Sequence, residues 1–261
     1  AAPPVEFSTV AHYNAEFLSI AHNIAINEDS GFGYILGSNT CIGGLHMVNL
    51  DKPRNPQFAG CFSADGYTHD AQCVSYVGPD SDYRDREVCF AFNEDTLTIV
   101  DVTNKAAPRA ISRTSYPGVG YTHQGWASDD HMFLLLGDEA DEQDFGHNTV
   151  TRVWDLTDLD RPLLIGVHEA PYAAIDHNIY IRGRLVFQAN YSAGLRLFNL
   201  DAVADGRLNP AGFFDIYPID NAPRFDGAWS VYPFFPSGVV AVSGVKQGLF
   251  LLDPAAVSST P

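Results

Sequence analysis

The chain has 261 residues, enough for one large or two ordinary domains with a sizeable core; 46% of them are hydrophobic and 12% aromatic. Thirty-two acidic residues against 15 basic give a formal charge of −17, which excludes electrostatic capture of nucleic acid or of an anionic membrane. A solvated acidic shell, a cationic partner or bound divalent cations fit that charge, and no apolar run is long enough for a transmembrane helix.

From the N-terminus, AAPPVEF has neither the basic nor the apolar region of a signal peptide and reads as a mature, processed start. VEFSTVAHYN (5–14) predicts a strand ahead of the first of five similar units. The first unit (15–64) carries AHNIAI, the loop GSNTCIGG and the phrase LHMVNLDKPRNP. The second (65–117) carries GYTHDAQC, FNEDT and LTIVDVTNKAAP. The third (118–170) carries GYTHQGW, GDEADEQDFGHNT and TRVWDLTDLDRP. The fourth (171–219) carries DHNIYI, ANYSAG and LRLFNLDAVADGRLNP, and the fifth (220–254) AWSVYP, SGVKQG and LFLLDP.

An Asp or Asn closes each apolar phrase, at positions 49, 101, 155, 199 and 253, so the unit is roughly fifty residues. Each unit reads as four short extended segments separated by Gly, Asp, Asn and Pro, the pattern of a β-propeller blade. The expectation is an all-β propeller of five visible four-stranded blades in one domain spanning 1–261. The fifth blade stops after its third strand, and segment 5–14 is expected to supply the missing outer strand and close the ring. A solenoid of β-units is the runner-up.

The four cysteines lie within the first 89 residues, outside any CxxC pattern. In the blade frame Cys41 begins a third strand and Cys61 lies in the fourth, while Cys73 and Cys89 flank a turn near Ser81. Each pair faces across antiparallel neighbours, which predicts Cys41–Cys61 and Cys73–Cys89 disulfides and an exported, oxidising setting; four reduced buried cysteines are the alternative.

The stretches NEDTLTIVDVTNKAAP, GYTHDAQC, GYTHQGW, GDEADEQDFGHNT, AIDHNIYI, QANYSAGLR and AWSVYPFFPSG resemble the bacterial surface proteins of the choice-of-anchor B family, which carry LVIVD-type repeats. The resemblance runs from about residue 10 to residue 253. It implies an exported β-propeller tethered by one of several C-terminal anchors, with a poorly defined biochemical activity. Family members also carry repeat-like sequence upstream, absent here, and these residues end in AAVSSTP without an anchor. The expectation is therefore a processed or trimmed form, whose parent could hold more blades.

His22, His69, His123 and His177 occupy one register position, spaced by 47, 54 and 54 residues, and the fifth unit has Ala228–Trp229 there. The first strand of each blade lines the central channel, so these histidines can ring one mouth of it and bind Zn, Cu, Fe or Ni through imidazole nitrogens. The alternative is architectural: a ring nitrogen donating to a backbone carbonyl of the neighbouring blade. Asn23, Asp70, Gln124 and Asn178 follow the histidines, and strand alternation predicts that they turn away from the axis.

The loop GDEADEQDFGHNT carries Asp138, Glu139, Asp141, Glu142 and Asp144, then His147. It is an oxygen-rich stretch suited to Ca²⁺ over 138–144, or else a solvated acidic loop, and it lacks the spacing of an EF-hand. Asp138, Glu139 and His147 are weaker metal candidates; Glu139, His147 and Tyr191 are the candidate catalytic residues, as base or ligand. Tyr67 and Tyr121 could line the same rim, Arg196 and Lys246 are the nearest cations, and Trp126, Trp154 and Trp229 are expected to fill space between blades. His46, His131 and His168 fall off the repeat position.

Three functions compete. The first is an exported propeller that binds a metal ion, or a ligand or protein partner, at the loop face. The second is a metalloenzyme, a hydrolase, lyase or oxidoreductase, built on the four-histidine centre. The third is a purely structural surface module. No nucleic-acid partner is expected, and nothing in the sequence sets the oligomeric state.

Overall fold

A computed structural model describes residues 11–254. The four-stranded antiparallel sheets follow the repeats: β1 to β4 (Asn23–Asn27, Phe32–Leu36, Leu45–Asn49, Gln57–Phe62), then β5 to β8 (Asp70–Ser75, Glu87–Phe92, Leu97–Asp101, Arg109–Thr114). Next come β9 to β12 (Thr122–Ala127, Phe133–Asp138, Val150–Asp155, Leu163–Glu169) and β13 to β16 (Asn178–Arg182, Leu185–Ala189, Leu195–Asn199, Asn209–Phe214). A fifth sheet has three strands, β17 to β19 (Ala228–Tyr232, Val240–Gly244, Gly248–Leu252). These are five propeller blades in which strands pair in chain order. The expected strand at 5–14 falls largely outside the described residues, and 11–14 belong to no strand.

The recurring Asp or Asn is a turn device. Asn49, Asp101, Asp155 and Asn199 each end a third strand and accept the backbone N–H two residues on, at 2.8, 3.0, 2.8 and 3.2 Å. Such Asx turns start the reversal into the outer strand. Just inside it every complete blade has a register shift, at Met47/Val48, Ile99/Val100, Val153/Trp154 and Leu197/Phe198. The outer-strand residues opposite the first member of each shift are Gly60, Ser112, Gly166 and Gly212. Three of them touch the next blade's turn. A Cβ on Gly60 would lie 1.8 Å from the Lys105 carbonyl oxygen, one on Gly166 2.2 Å from that of Gly206, and Ser112 Oγ donates to Leu159 O at 2.6 Å.

Middle strands are buried, as β6 is along its whole length, and outer strands such as β16 are half exposed. Among the described residues the core is divided into four apolar clusters, one between each pair of successive blades. Phe90, Phe92 and Trp154 anchor the one between the second and third blades. No such cluster joins the fifth blade to the first among the described residues, where Ile24, Ile26 and Tyr232 remain exposed.

Both predicted disulfides are formed. Cys73 and Cys89 sit directly opposite in β5 and β6, with Cα atoms 4.0 Å apart. Cys41 and Cys61 are 5.4 Å apart, but Cys41 lies in a 3₁₀ turn ahead of β3 instead of starting the strand. Positive φ at Cys41 and Ile42 lets that turn fold back toward β4.

No helix among the described residues is long and apolar enough to cross a membrane.

Candidate metal centre at the channel mouth

The inner strands β1, β5, β9, β13 and β17 stand edge-on to the axis, and each histidine of the register sits at or just before the start of one. His22, His69, His123 and His177 form an arc, with successive ring centroids 4.1, 4.2 and 4.3 Å apart. The rings are fixed by the neighbouring blade. His69 Nδ1 donates to the His123 carbonyl and His123 Nδ1 to the His177 carbonyl, both at 3.1 Å, and His177 Nδ1 to that of Trp229. A carbonyl only accepts, so the Nδ1 of His69, His123 and His177 carries the proton and the Nε2 of each neutral ring is left with a lone pair that accepts. The architectural role weighed for these histidines is therefore present, and it is what frees the other nitrogen.

What surrounds those lone pairs decides the chemistry. His123 is 1% exposed and its Nε2 has no hydrogen-bond partner. Glu139, in the loop after β10, places Oε2 3.5 Å from His123 Nε2 and Oε1 3.4 Å from His177 Nε2. An ionised carboxylate and two imidazole lone pairs are all acceptors, so their approach calls for a cation or proton between them. His177 is served differently: Trp229 Nε1 donates to its Nε2 at 3.0 Å. His69, His123 and Glu139 bring ligand atoms within 4.8 Å of one another, and His22 stands exposed at the open end of the arc. These residues could hold a metal ion.

Burial lowers the pKa of these rings. It takes His69 down to about 4, helped by His22, and His177 down to about 3; His123 is held well below its usual value by burial and by His177 and His69. Burial pushes the Glu139 carboxyl up to about 7, against a 2.9 Å hydrogen bond from Tyr191 Oη. Neutral imidazoles are the form that binds metals. The centre opens on a cavity of about 400 Å³ lined also by Asp70, Tyr191, Trp229, Ser230 and Ser243.

Asn23, Asp70 and Asn178 line that same cavity, contrary to the alternation argument. An edge-on inner strand shows both faces to the channel, so adjacent residues flank it from either side. Gln124 instead clamps blades together, donating to Ile179 O at 3.0 Å and accepting from Ile179 N at 2.7 Å.

Other expected residues are placed as follows. Asp138 is fully buried and spent on structure, accepting from Tyr116 Oη and from the backbone N–H groups of Gly120 and Tyr121. It fixes the GYTH loop and is no open ligand. His147 follows a short helix, α1 (Asp141–Phe145), and is not among the residues lining this cavity; its Nε2 lies 3.8 Å from Asp141 Oδ2. Tyr121 meets His69 edge-on at 5.3 Å, and Tyr67 packs under Gly37 beside His22. Arg196 stacks on Tyr172 and Phe213, and Lys246 pairs with Asp226 at 2.9 Å. Trp154 and Trp126 pack between blades as expected, whereas Trp229 is half exposed and serves the site.

The acidic loop is not uniformly solvated. Asp144 is exposed, but Asp141 and Glu142 are buried with Asp176, and these three form a second group that could hold a metal. Asp176 escaped sequence reasoning; its signal was an acid where GYTH has threonine.

No protein-family model and no curated protein matches the chain. Among solved structures it is similar to a protein from Lactobacillus plantarum, with TM-score 0.64 and 14% identity over 89% of this chain and 70% of that one. It is also similar to the β-propeller domain of Myceliophteria thermophila Cps50 (Swd1), with TM-score 0.62 and 13% identity over 92% of this chain and 72% of that one. The shared feature is the propeller. At such identity the likeness speaks to fold alone, so the function is argued from the site.

Proposed function

We propose that this protein is an exported propeller that binds one divalent transition-metal ion at the mouth of its channel, through His69, His123 and Glu139 with His22 alongside, and presents it to a ligand in the adjoining cavity. The observation that carries this is the buried, partnerless Nε2 of His123 facing a carboxylate, in a ring whose Nδ1–H is already committed. Nitrogen donors with one carboxylate suit Zn²⁺ or Fe²⁺ better than Ca²⁺. His177 completes the four-histidine set when Trp229 releases its Nε2.

Elemental analysis and calorimetric titration with Zn²⁺ test the reading. One equivalent is expected in the wild type and none in a folded His69→Ala/His123→Ala variant; a protein that binds no Zn²⁺ at micromolar concentration would overturn the metal site and leave a metal-free ligand- or partner-binding propeller or a purely structural module. Catalysis at the same centre is favoured by one observation, the near-neutral Glu139 carboxyl bonded to Tyr191 beside an open cavity. It requires an activity that disappears with the metal and returns when metal is added back.

The two disulfides support the exported setting, and the repeated phrases support kinship with choice-of-anchor B surface proteins. Protein isolated from its native source should titrate with no free thiols.

A further inference from the structure

We propose that Asp141, Glu142 and Asp176 form a site for a hard divalent cation, Ca²⁺, that ties the blade 3 loop to the segment leading into blade 4. The three side chains are 0%, 2% and 0% exposed, and their oxygens lie within 4.8 Å of one another. Four of the six oxygens have no hydrogen-bond partner: Asp141 Oδ1, both oxygens of Glu142, and Asp176 Oδ1. The other two are occupied from outside the group, Asp141 Oδ2 by Arg152 Nη2 at 2.8 Å and Asp176 Oδ2 by Gln188 Nε2 at 3.3 Å.

A lone acidic cluster would relax into solvent or draw in donors. Here Glu142 is enclosed with both oxygens partnerless and directed at two further carboxylates. Among the described residues Arg152 is the one guanidinium paired with the group, leaving three carboxylates against one fixed cation. A bound divalent ion offsets that remainder. The backbone is also cleared for the arrangement: a Cβ on Gly137 would lie 2.5 Å from Asp176 Oδ2. The carbonyl oxygen of the buried Asn190 side chain is likewise without a partner.

Donor chemistry selects the ion. The open ligands are carboxylate oxygens alone, which suit Ca²⁺, Mg²⁺ or Mn²⁺ and not the nitrogen-seeking metals of the histidine arc. Mg²⁺ keeps several of its waters, and side chains this deeply buried favour Ca²⁺, with Glu142 bidentate and the two aspartates each giving one oxygen. By contrast, the acidic trio Asp80, Asp158 and Asp160 is partly exposed, with Asp80 and Asp160 taking donors from Leu159 and Tyr83, and makes no comparable site. The consequence reaches the channel mouth, since Glu142 lies three residues after Glu139 and Asp176 directly precedes His177. The proposal stands on its own observations, apart from the histidine reading.

Chelator-stripped wild-type protein is titrated with CaCl₂ by calorimetry and melted with and without 1 mM Ca²⁺. One equivalent of Ca²⁺ is expected, with Tm raised by about 5 °C or more. Glu142→Gln should bind Ca²⁺ at least tenfold more weakly and lose the shift, and Asp176→Asn is the second variant should the first fail to fold. The His69→Ala/His123→Ala variant should keep the whole Ca²⁺ response. Absence of heat and Tm shift with Ca²⁺, Mg²⁺ and Mn²⁺ overturns the proposal. So does a shift that survives in the carboxamide variants, or one that vanishes in the histidine variant.

Discussion

Replacing Glu139 with glutamine should stabilise the metal-free protein while weakening its metal binding, two effects of opposite sign from one atom. In the wild type the Glu139 carboxylate, 18% exposed, and the His123 Nε2 lone pair face each other at 3.5 Å with nothing to share. A buried acceptor without a partner costs about 1–3 kcal/mol. Glutamine can keep its carbonyl on Tyr191 Oη and turn its NH₂ toward His123 Nε2, making a hydrogen bond of net value about 1 kcal/mol and removing an anion from beside two lone pairs. We expect EDTA-treated Glu139→Gln to gain about 1–2 kcal/mol in urea unfolding at pH 8. Zn²⁺ affinity, read by chelator competition, should fall at least tenfold, as losses even outside the first ring of ligands do. A stripped variant that is a kcal/mol or more less stable and binds Zn²⁺ as the wild type does would refute this role, because Glu139 would then serve only to receive the Tyr191 hydroxyl.

Further perturbations probe other links. Trp229→Phe removes the donor held by His177 Nε2, worth about 0.5–1.5 kcal/mol, and should tighten Zn²⁺ binding about two- to tenfold in the same competition assay; weaker binding would place Trp229 among the supports of the centre. Glu87→Gln should destabilise by about 3–5 kcal/mol in chemical denaturation, since Lys105 Nζ, 2.6 Å from Glu87 Oε2 and nearly buried, would lose its counter-charge while Tyr34, Ser30 and Asn27 lose an ionic acceptor; a change under 1 kcal/mol refutes that assignment. His131→Gln concerns acid stability. Burial lowers the His131 pKa, against partial opposition from Asp130 and Asp129, and its Nδ1 accepts the Val77 N–H at 3.2 Å. The unfolded chain therefore takes up this proton first, and stability is lost as pH falls through about 6.5, by at most about 1.4 kcal/mol per pH unit for one group. The variant should show a shallower decline between pH 7.5 and 5.5 in urea unfolding, and an unchanged slope would contradict the burial argument.

How far the sequence reaches can be judged from particular residues. The blades were legible because turn chemistry repeats: Asn49, Asp101, Asp155 and Asn199 make the same Asx turn, so their spacing is the blade period. Cys73 and Cys89 were legible because two strands across one turn leave a single opposite register. The histidine register placed His22, His69, His123 and His177 in one arc. The occupancy of each nitrogen was not legible, because it depends on carbonyls and an indole contributed by the next blade. Asp138 and Asp141 look alike as letters, yet one is consumed by backbone N–H groups and the other opens toward Asp176, a partner 35 residues on. Alternation misled for Asn23, Asp70 and Asn178 because it assumes a sheet seen face-on.

The hydrogen bonds that hold His69, His123 and His177 all run the same way, blades 2, 3 and 4 each handing an N–H forward to a carbonyl of the next, until Trp229 receives one and has no imidazole to pass on. The mouth is thus polar in the sense of direction, with a first member and a last, although its repeats look interchangeable. A circular permutant would respect the strands and the core yet break that order if the new termini parted blades 2 and 3, for His69 would lose the chain continuity that holds its acceptor in place. Trp229 marks where that sequence of imidazoles stops.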